Sequence, residues 1–269
     1  MKMLRDKLVA EIQRKQSFLC VGLDPDLSKM PPSILKEKDP IFSFNKMVIE
    51  ATSDLCVAYK PNIAFYEVFG PKGLESLEKT LELIPSEVLS IADGKRGDIG
   101  NTAEKYATTF FDYFGFDAAT VSPYMGMETM QAWLAYKEKW TIVLGLTSNP
   151  GAEDFEMLQT QNGKKVFEEV ILKSVGKGDN LMFVVGGTRP EKLAEVRKLA
   201  PDHFFLVPGV GAQGGDLKAL YDHGSNQHCG LLVNSSRGIL YPKKGEFTTD
   251  DIRESAMTLT NEMRVLLEK

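Results

Sequence analysis

The chain has little of what metal and redox chemistry usually needs. It holds three histidines, His203, His223 and His228, and three cysteines, Cys20, Cys56 and Cys229. No strand-end carboxylate clusters with the histidines, so no metal centre is expected and they read as core or surface residues. The cysteines are odd in number and each lies in or beside an apolar run. That pattern argues against a disulfide scaffold and for reduced core thiols in a cytoplasmic protein. No apolar run reaches about 18 residues, which argues against a membrane span. The first residues, Met1 to Lys7, soon meet Glu11 and Arg14, and without an apolar h-region no signal peptide is expected. The net charge is −5 and no long basic run occurs, so nucleic acid and anionic membranes are poor partners. There is no Walker loop, no G-x-S-x-G and no evident Ser/His pair. No repeat, low-complexity tract or linker interrupts the 269 residues, which are 43% hydrophobic and 26% charged. One domain spanning residues 1–269 is expected.

What is present is a regular alternation. Eight strand-like apolar runs recur: Ser17–Leu23, Cys56–Lys60, Val88–Asp93, Ala118–Ser122, Thr141–Leu146, Leu181–Val185, His203–Val207 and Gly230–Asn234. Helix-like segments lie between them, including Phe42–Leu55, Gly73–Ile84, Thr102–Phe114, Val166–Val175, Pro190–Leu199 and Gly214–His223, with a last one near Asp250–Leu267. Strands alternating with helices imply a parallel sheet. Eight units at this length predict a single-domain (β/α)8 TIM barrel, with an open doubly wound sheet as the alternative. In the third helix Asn101 is placed to cap and Glu104 to complete a capping box. The long polar run Asn149–Lys164 is either a lid or a plain insertion.

Barrel chemistry sits at the C-terminal ends of the strands. There Asp24, Lys60, Asp93 and Lys95 follow the first three runs. Asp93 and Lys95 are two apart, so an extended backbone points both to one face. A structural ion network is the bland alternative, but buried charges are costly to assemble without a use. Asp98 lies five residues on, up to about 17 Å of extended chain, and either turns back to the cluster or points elsewhere. Glycines and Arg237 follow the seventh and eighth runs. Together they resemble a phosphate cradle, in which backbone N–H groups and a guanidinium hold oxygens. Gly209-Val-Gly211-Ala-Gln-Gly214 also matches G-x-G-x-x-G, but no acid ends the next strand, so a nicotinamide cofactor is rejected. Two lysines, carboxylates and a phosphate cradle without a cofactor suit carbanion or proton-transfer chemistry on a phosphorylated small molecule. Carboxylates beside a lysine favour its ammonium form, hence a proton donor over a Schiff-base nucleophile.

The stretch Asp93-Gly-Lys95-Arg-Gly-Asp98-Ile-Gly-Asn-Thr102, with Lys60 ending the second strand, closely resembles the orotidine 5′-phosphate decarboxylase family in its longer bacterial class (type 2). The resemblance extends over Gly22-Leu-Asp24-Pro-Asp26, Lys60-Pro-Asn62, Ser148-Asn-Pro-Gly151, Pro208 to Gly215 and Ser236-Arg237. It implies cofactor-free decarboxylation of orotidine 5′-monophosphate to uridine 5′-monophosphate, the last step of de novo pyrimidine biosynthesis. Lys60, Asp93, Lys95 and Asp98 would form an alternating charge network, with Lys95 delivering the proton to C6 and Asp93 against the substrate carboxylate. Asp24 and Lys60 would bind ribose hydroxyls, and Ser148 the pyrimidine. Gln213 and Arg237, with backbone near Ser236, would hold the phosphate. Asp98 and Thr102 would reach into a neighbouring subunit's site, which implies a homodimer. Arg96 departs from the commoner form of the family, where an apolar residue often follows the lysine. A magnesium-dependent sugar-phosphate decarboxylase or aldolase of the same superfamily would carry an acidic ligand where this chain has Lys60. A Schiff-base barrel aldolase would carry a lysine on the sixth strand, and Leu181–Gly187 has none. A non-catalytic phosphate-binding barrel would not need Lys60, Asp93 and Lys95 together.

Overall fold

Eight parallel strands close on themselves in chain order, β1 pairing with both β2 and β8. They are β1 Leu19–Leu23, β2 Ala58–Pro61, β3 Leu89–Arg96, β4 Ala118–Val121, β5 Trp140–Leu146, β6 Leu181–Val185, β7 Phe204–Pro208 and β8 Leu231–Ser235. The computed structural model describes residues 2–209 and 216–268. Closure between β1 and β8 decides for the (β/α)8 barrel over the open sheet. Every expected run overlaps one strand. The largest departure is at β3, which continues to Arg96.

The strands are apolar at successive positions because both of their faces are covered, by the packed barrel interior and by the outer helices. In β1, β2, β4, β6 and β8 every residue is buried. Some of the helices start where a side chain satisfies their first N–H groups. Asp39 caps the helix Pro40–Thr52 by accepting from Phe42 N, and Asp216 caps Leu217–Gly224 by accepting from Ala219 N. Thr248 and Asp251 form a capping box on the last helix, Thr249–Leu267. The first helix, Lys2–Lys15, is absent from the expected pattern because its many charges dilute the apolar stripe. It buries Leu8 and Ile12, and the Lys15 ammonium donates to the carbonyls of Ser53 and Cys56. Cys20, Cys56 and Cys229 are buried and unpaired, and burial pushes the Cys56 thiol up to about 11.

The helix after β3 corrects one expectation. It begins at Gly100, so Asn101 lies inside its first turn and caps nothing. Gly100 takes a φ of +52°, which turns the chain into the helix before Asn101 is reached. The helix Gly100–Thr108 then runs into one widened turn, Thr109–Tyr113, in which Phe114 N donates to Thr109 O. This turn buries Phe110, whose ring packs on the backbone of Gly94. A Cβ at residue 94 would lie 2.8 Å from it.

Candidate active site

The C-terminal ends of β2 and β3 bring three charged groups into direct contact. Asp93 is nearly buried and shares its carboxylate between two ammonium groups. Lys60 Nζ lies 2.7 Å from Oδ2, and Lys95 Nζ lies 2.6 Å from Oδ1. Lys60 is buried, whereas the Lys95 side chain is 48% exposed and stands at the open edge of the triad. Burial alone would favour the neutral acid at Asp93, but Lys60 and Lys95 outweigh it and hold the carboxyl at about 2. Burial likewise works against the Lys60 ammonium. The Asp93 and Asp24 carboxylates overcome it and raise its pKa. Asp93 and Lys60 are therefore both charged at neutral pH. A buried ion pair such as Lys60–Asp93 adds little to folding stability compared with a packed apolar core.

Lys95 reaches Asp93 by an unexpected route. Its φ is +45°, in the left-handed region, where a residue with a Cβ is strained by about 1–3 kcal/mol. The two side chains meet through a kink rather than through the alternation of an extended strand. Thr120 on β4 holds the kink: it accepts from Lys95 N at 2.9 Å and lies 3.2 Å from Asp93 Oδ1. Arg96, whose place the sequence leaves open, forms an ion pair with Glu67 and sits over the rings of Tyr106 and Phe110. It joins the segment after β2 to the helix after β3.

The other expected residues lie around this triad at neighbouring strand ends. Asp24 follows β1, and its Oδ1 is buried without a hydrogen-bond partner among the described residues. Its backbone carbonyl accepts from Tyr241 Oη, which in turn accepts from Asp26 N. Tyr241 stacks on Phe44 and so anchors the β1 exit. No local sequence signal marks Tyr241 or Thr120, because their roles depend on partners distant in sequence. Ser148 is half-buried beyond β5 and packs on Gly186, where a Cβ would come within 2.6 Å of its own. The run Asn149–Lys164 is folded onto this exit. Glu156 accepts from both N and Oγ1 of Thr147, and Arg189 pairs with Glu153 at 3.0 Å.

Ser236 follows β8, with Asn234 Nδ2 donating to its Oγ at 3.3 Å, and exposed Arg237 opens the short helix Arg237–Leu240. Gln213 and most of the glycine run lie outside the described residues. Asp98 is half-buried and accepts from Ile99 N at 2.8 Å, with no ion pair to Lys60 or Lys95. Thr102 is exposed. Among the described residues no group of three or more His, Cys, Asp or Glu side chains is placed to hold a metal ion, and no helix is long and apolar enough to cross a membrane.

These features define a (β/α)8 barrel with a lysine–carboxylate–lysine triad at the catalytic end of its strands, ringed by polar groups from neighbouring strand ends. Residues 17–248 match the family model described as Orotidine 5′-phosphate decarboxylase / HUMPS family, and the chain belongs to that family. It is 51% identical over 267 residues to the orotidine 5′-phosphate decarboxylase of Parabacteroides distasonis, covering 97% of this chain and 95% of the relative. It is 49% identical over 271 residues to that of Flavobacterium johnsoniae, covering 99% of both. Among solved structures, the Leishmania donovani OMP decarboxylase superposes with a TM-score of 0.86 at 35% identity, covering 99% of both chains.

Proposed function

We infer that this protein is an orotidine 5′-phosphate decarboxylase, which releases carbon dioxide from orotidine 5′-monophosphate to give uridine 5′-monophosphate in pyrimidine biosynthesis. The observation that carries this is the Asp93 carboxylate held between two ammonium groups, one buried and one open to the site. In the reaction the bond from C6 to the carboxylate carbon breaks and its electron pair remains on C6. The Lys95 ammonium then gives C6 a proton as carbon dioxide leaves, and solvent restores the proton to Lys95. The carbanion has no imine into which to delocalise, so the barrier is high and preorganised charge must lower it. Asp93, ionised beside the departing carboxylate, favours its loss. Lys60 and Asp24 bind ribose hydroxyls. The unpartnered Asp24 Oδ1 supports this, since a buried acceptor requires a donor and a hydroxyl supplies one. Ser148 meets the pyrimidine.

Gln213, Arg237 and the backbone at Ser236 grip the phosphate, and that remote binding energy positions the reacting ring. The working form is a cytoplasmic homodimer in which Asp98 and Thr102 complete the partner's site. Two observations favour this arrangement. Asp98 makes no ion pair with its own triad, and it is followed by exposed Ile99, with Val68, Phe69, Tyr124 and Met125 exposed on the segments after β2 and β4. Exposed apolar side chains on the segments that follow neighbouring strands suit an interaction surface.

The test is to mix purified protein with orotidine 5′-monophosphate and EDTA and to follow the fall in ultraviolet absorbance. Turnover at the same rate with and without the chelator is expected. No turnover, or turnover that EDTA abolishes, would overturn the assignment.

A further inference from the structure

The pairing of β3 with β4 is broken where the chemistry lies. Ile91 stands opposite Ala118 and Ala92 opposite Ala119, and pairing resumes only at Arg96 and Val121. Three residues, Asp93, Gly94 and Lys95, therefore oppose a single residue, Thr120. Such a bulge leaves backbone groups without ladder partners and re-aims side chains. Thr120 is fully buried inside it. Its Oγ1 accepts from Lys95 N at 2.9 Å, lies 3.2 Å from Asp93 Oδ1, and lies 3.4 Å from Ala92 O. A hydroxyl has one proton to donate. The nearer, charged carboxylate oxygen takes it in preference to the peptide carbonyl. One hydroxyl thus binds the strained backbone of the proton donor and the carboxylate that pairs with it.

We propose that Thr120 is a positioning residue for the decarboxylation, its hydroxyl fixing the distance and direction between the Asp93 carboxylate and Lys95. This rests on the assignment of Asp93 and Lys95 to the chemistry on orotidine 5′-monophosphate. Valine at 120 keeps the branched shape but supplies neither acceptor nor donor. The Lys95 backbone then loses its tether, and Asp93 Oδ1 is held by Lys95 alone. Both reacting groups remain present, so binding of the nucleotide persists while alignment in the transition state is lost.

The experiment compares kcat and KM for orotidine 5′-monophosphate across the parent, Thr120→Ser, Thr120→Ala and Thr120→Val, with melting temperatures measured alongside. Loss of the hydroxyl lowers kcat by about 10- to 100-fold and moves KM by less than about threefold. Serine stays within about threefold of the parent. A kcat that follows side-chain size, with valine near the parent and serine near alanine, overturns the proposal, as does a rise in KM at constant kcat. If the valine variant does not fold, serine and alanine decide, and equal kcat values for the two overturn it. An active parent with a flat series refutes the role of Thr120 alone, whereas a parent without turnover removes the assigned reaction and this role together.

Discussion

At the residue scale the site turns on Asp93. Its carboxyl is held at about 2, against 3.8 for an ordinary aspartate. A depressed carboxylate contributes stability above its unfolded pKa and loses it as pH falls through the folded one. The shift corresponds to about 2 kcal/mol, complete above about pH 5 and lost progressively toward pH 2. Asp93→Asn leaves Lys60 buried without the carboxylate it pairs with directly and removes this titration. Its stability deficit relative to the parent should narrow by about 1 kcal/mol between pH 5 and pH 3. Urea unfolding of the two proteins across that range measures it. Deficits that stay parallel would show that Lys60 and Lys95 do not hold Asp93 down. Lys95 is the other decisive residue, since its left-handed backbone stores strain that neighbouring strands must hold in place.

At the element scale, adjacent strands set the shape of the proposed phosphate grip. β1 and β8 pair directly, Val21 opposite Ser235, and the next residue of β1 is Gly22. A Cβ on Gly22 would lie 1.9 Å from Ser236 Oγ and 2.9 Å from Ser236 Cβ. Gly22→Ala must therefore displace Ser236 and the start of the helix that carries Arg237. Overpacking of this kind costs about 1–3 kcal/mol. Part of that cost should fall on phosphate binding, raising KM by about tenfold with a smaller change in kcat. Steady-state kinetics with a melting curve tests this. A lower melting temperature at unchanged KM would mean that Ser236 does not shape the grip. The same logic explains Gly94, where the Phe110 ring leaves no room for a Cβ.

At the scale of the whole molecule, the proposed shared site makes a prediction that no single chain can meet. Asp98→Ala and Lys95→Ala chains should each be inactive. Mixed with subunit exchange, they should regain up to about a quarter of parental activity, because half of the dimers are mixed and each mixed dimer has one intact site. Sedimentation or mass spectrometry establishes the exchange, and absence of rescue despite it would place Asp98 and Thr102 outside the partner's site.

The amino-acid sequence alone determined the eight parallel strands alternating with helices, because burial on both faces writes each strand as a continuous apolar run and spaces eight of them evenly, whereas the pairing of β1 with β8 decided that they close into a barrel. It also determined which charged residues stand at the strand ends, since Lys60, Asp93 and Lys95 follow those runs directly. Tertiary structure decided how they meet. The bulge of β3 against β4, the left-handed turn at Lys95, and the tethers from Thr120 and Tyr241 all depend on side chains brought from other strands and helices. The start of the helix at Gly100 rather than at Asn101 was decided by a backbone angle open to glycine. Local pattern records what each segment can bury, whereas these features arise from register and hydrogen bonds between segments far apart in the chain.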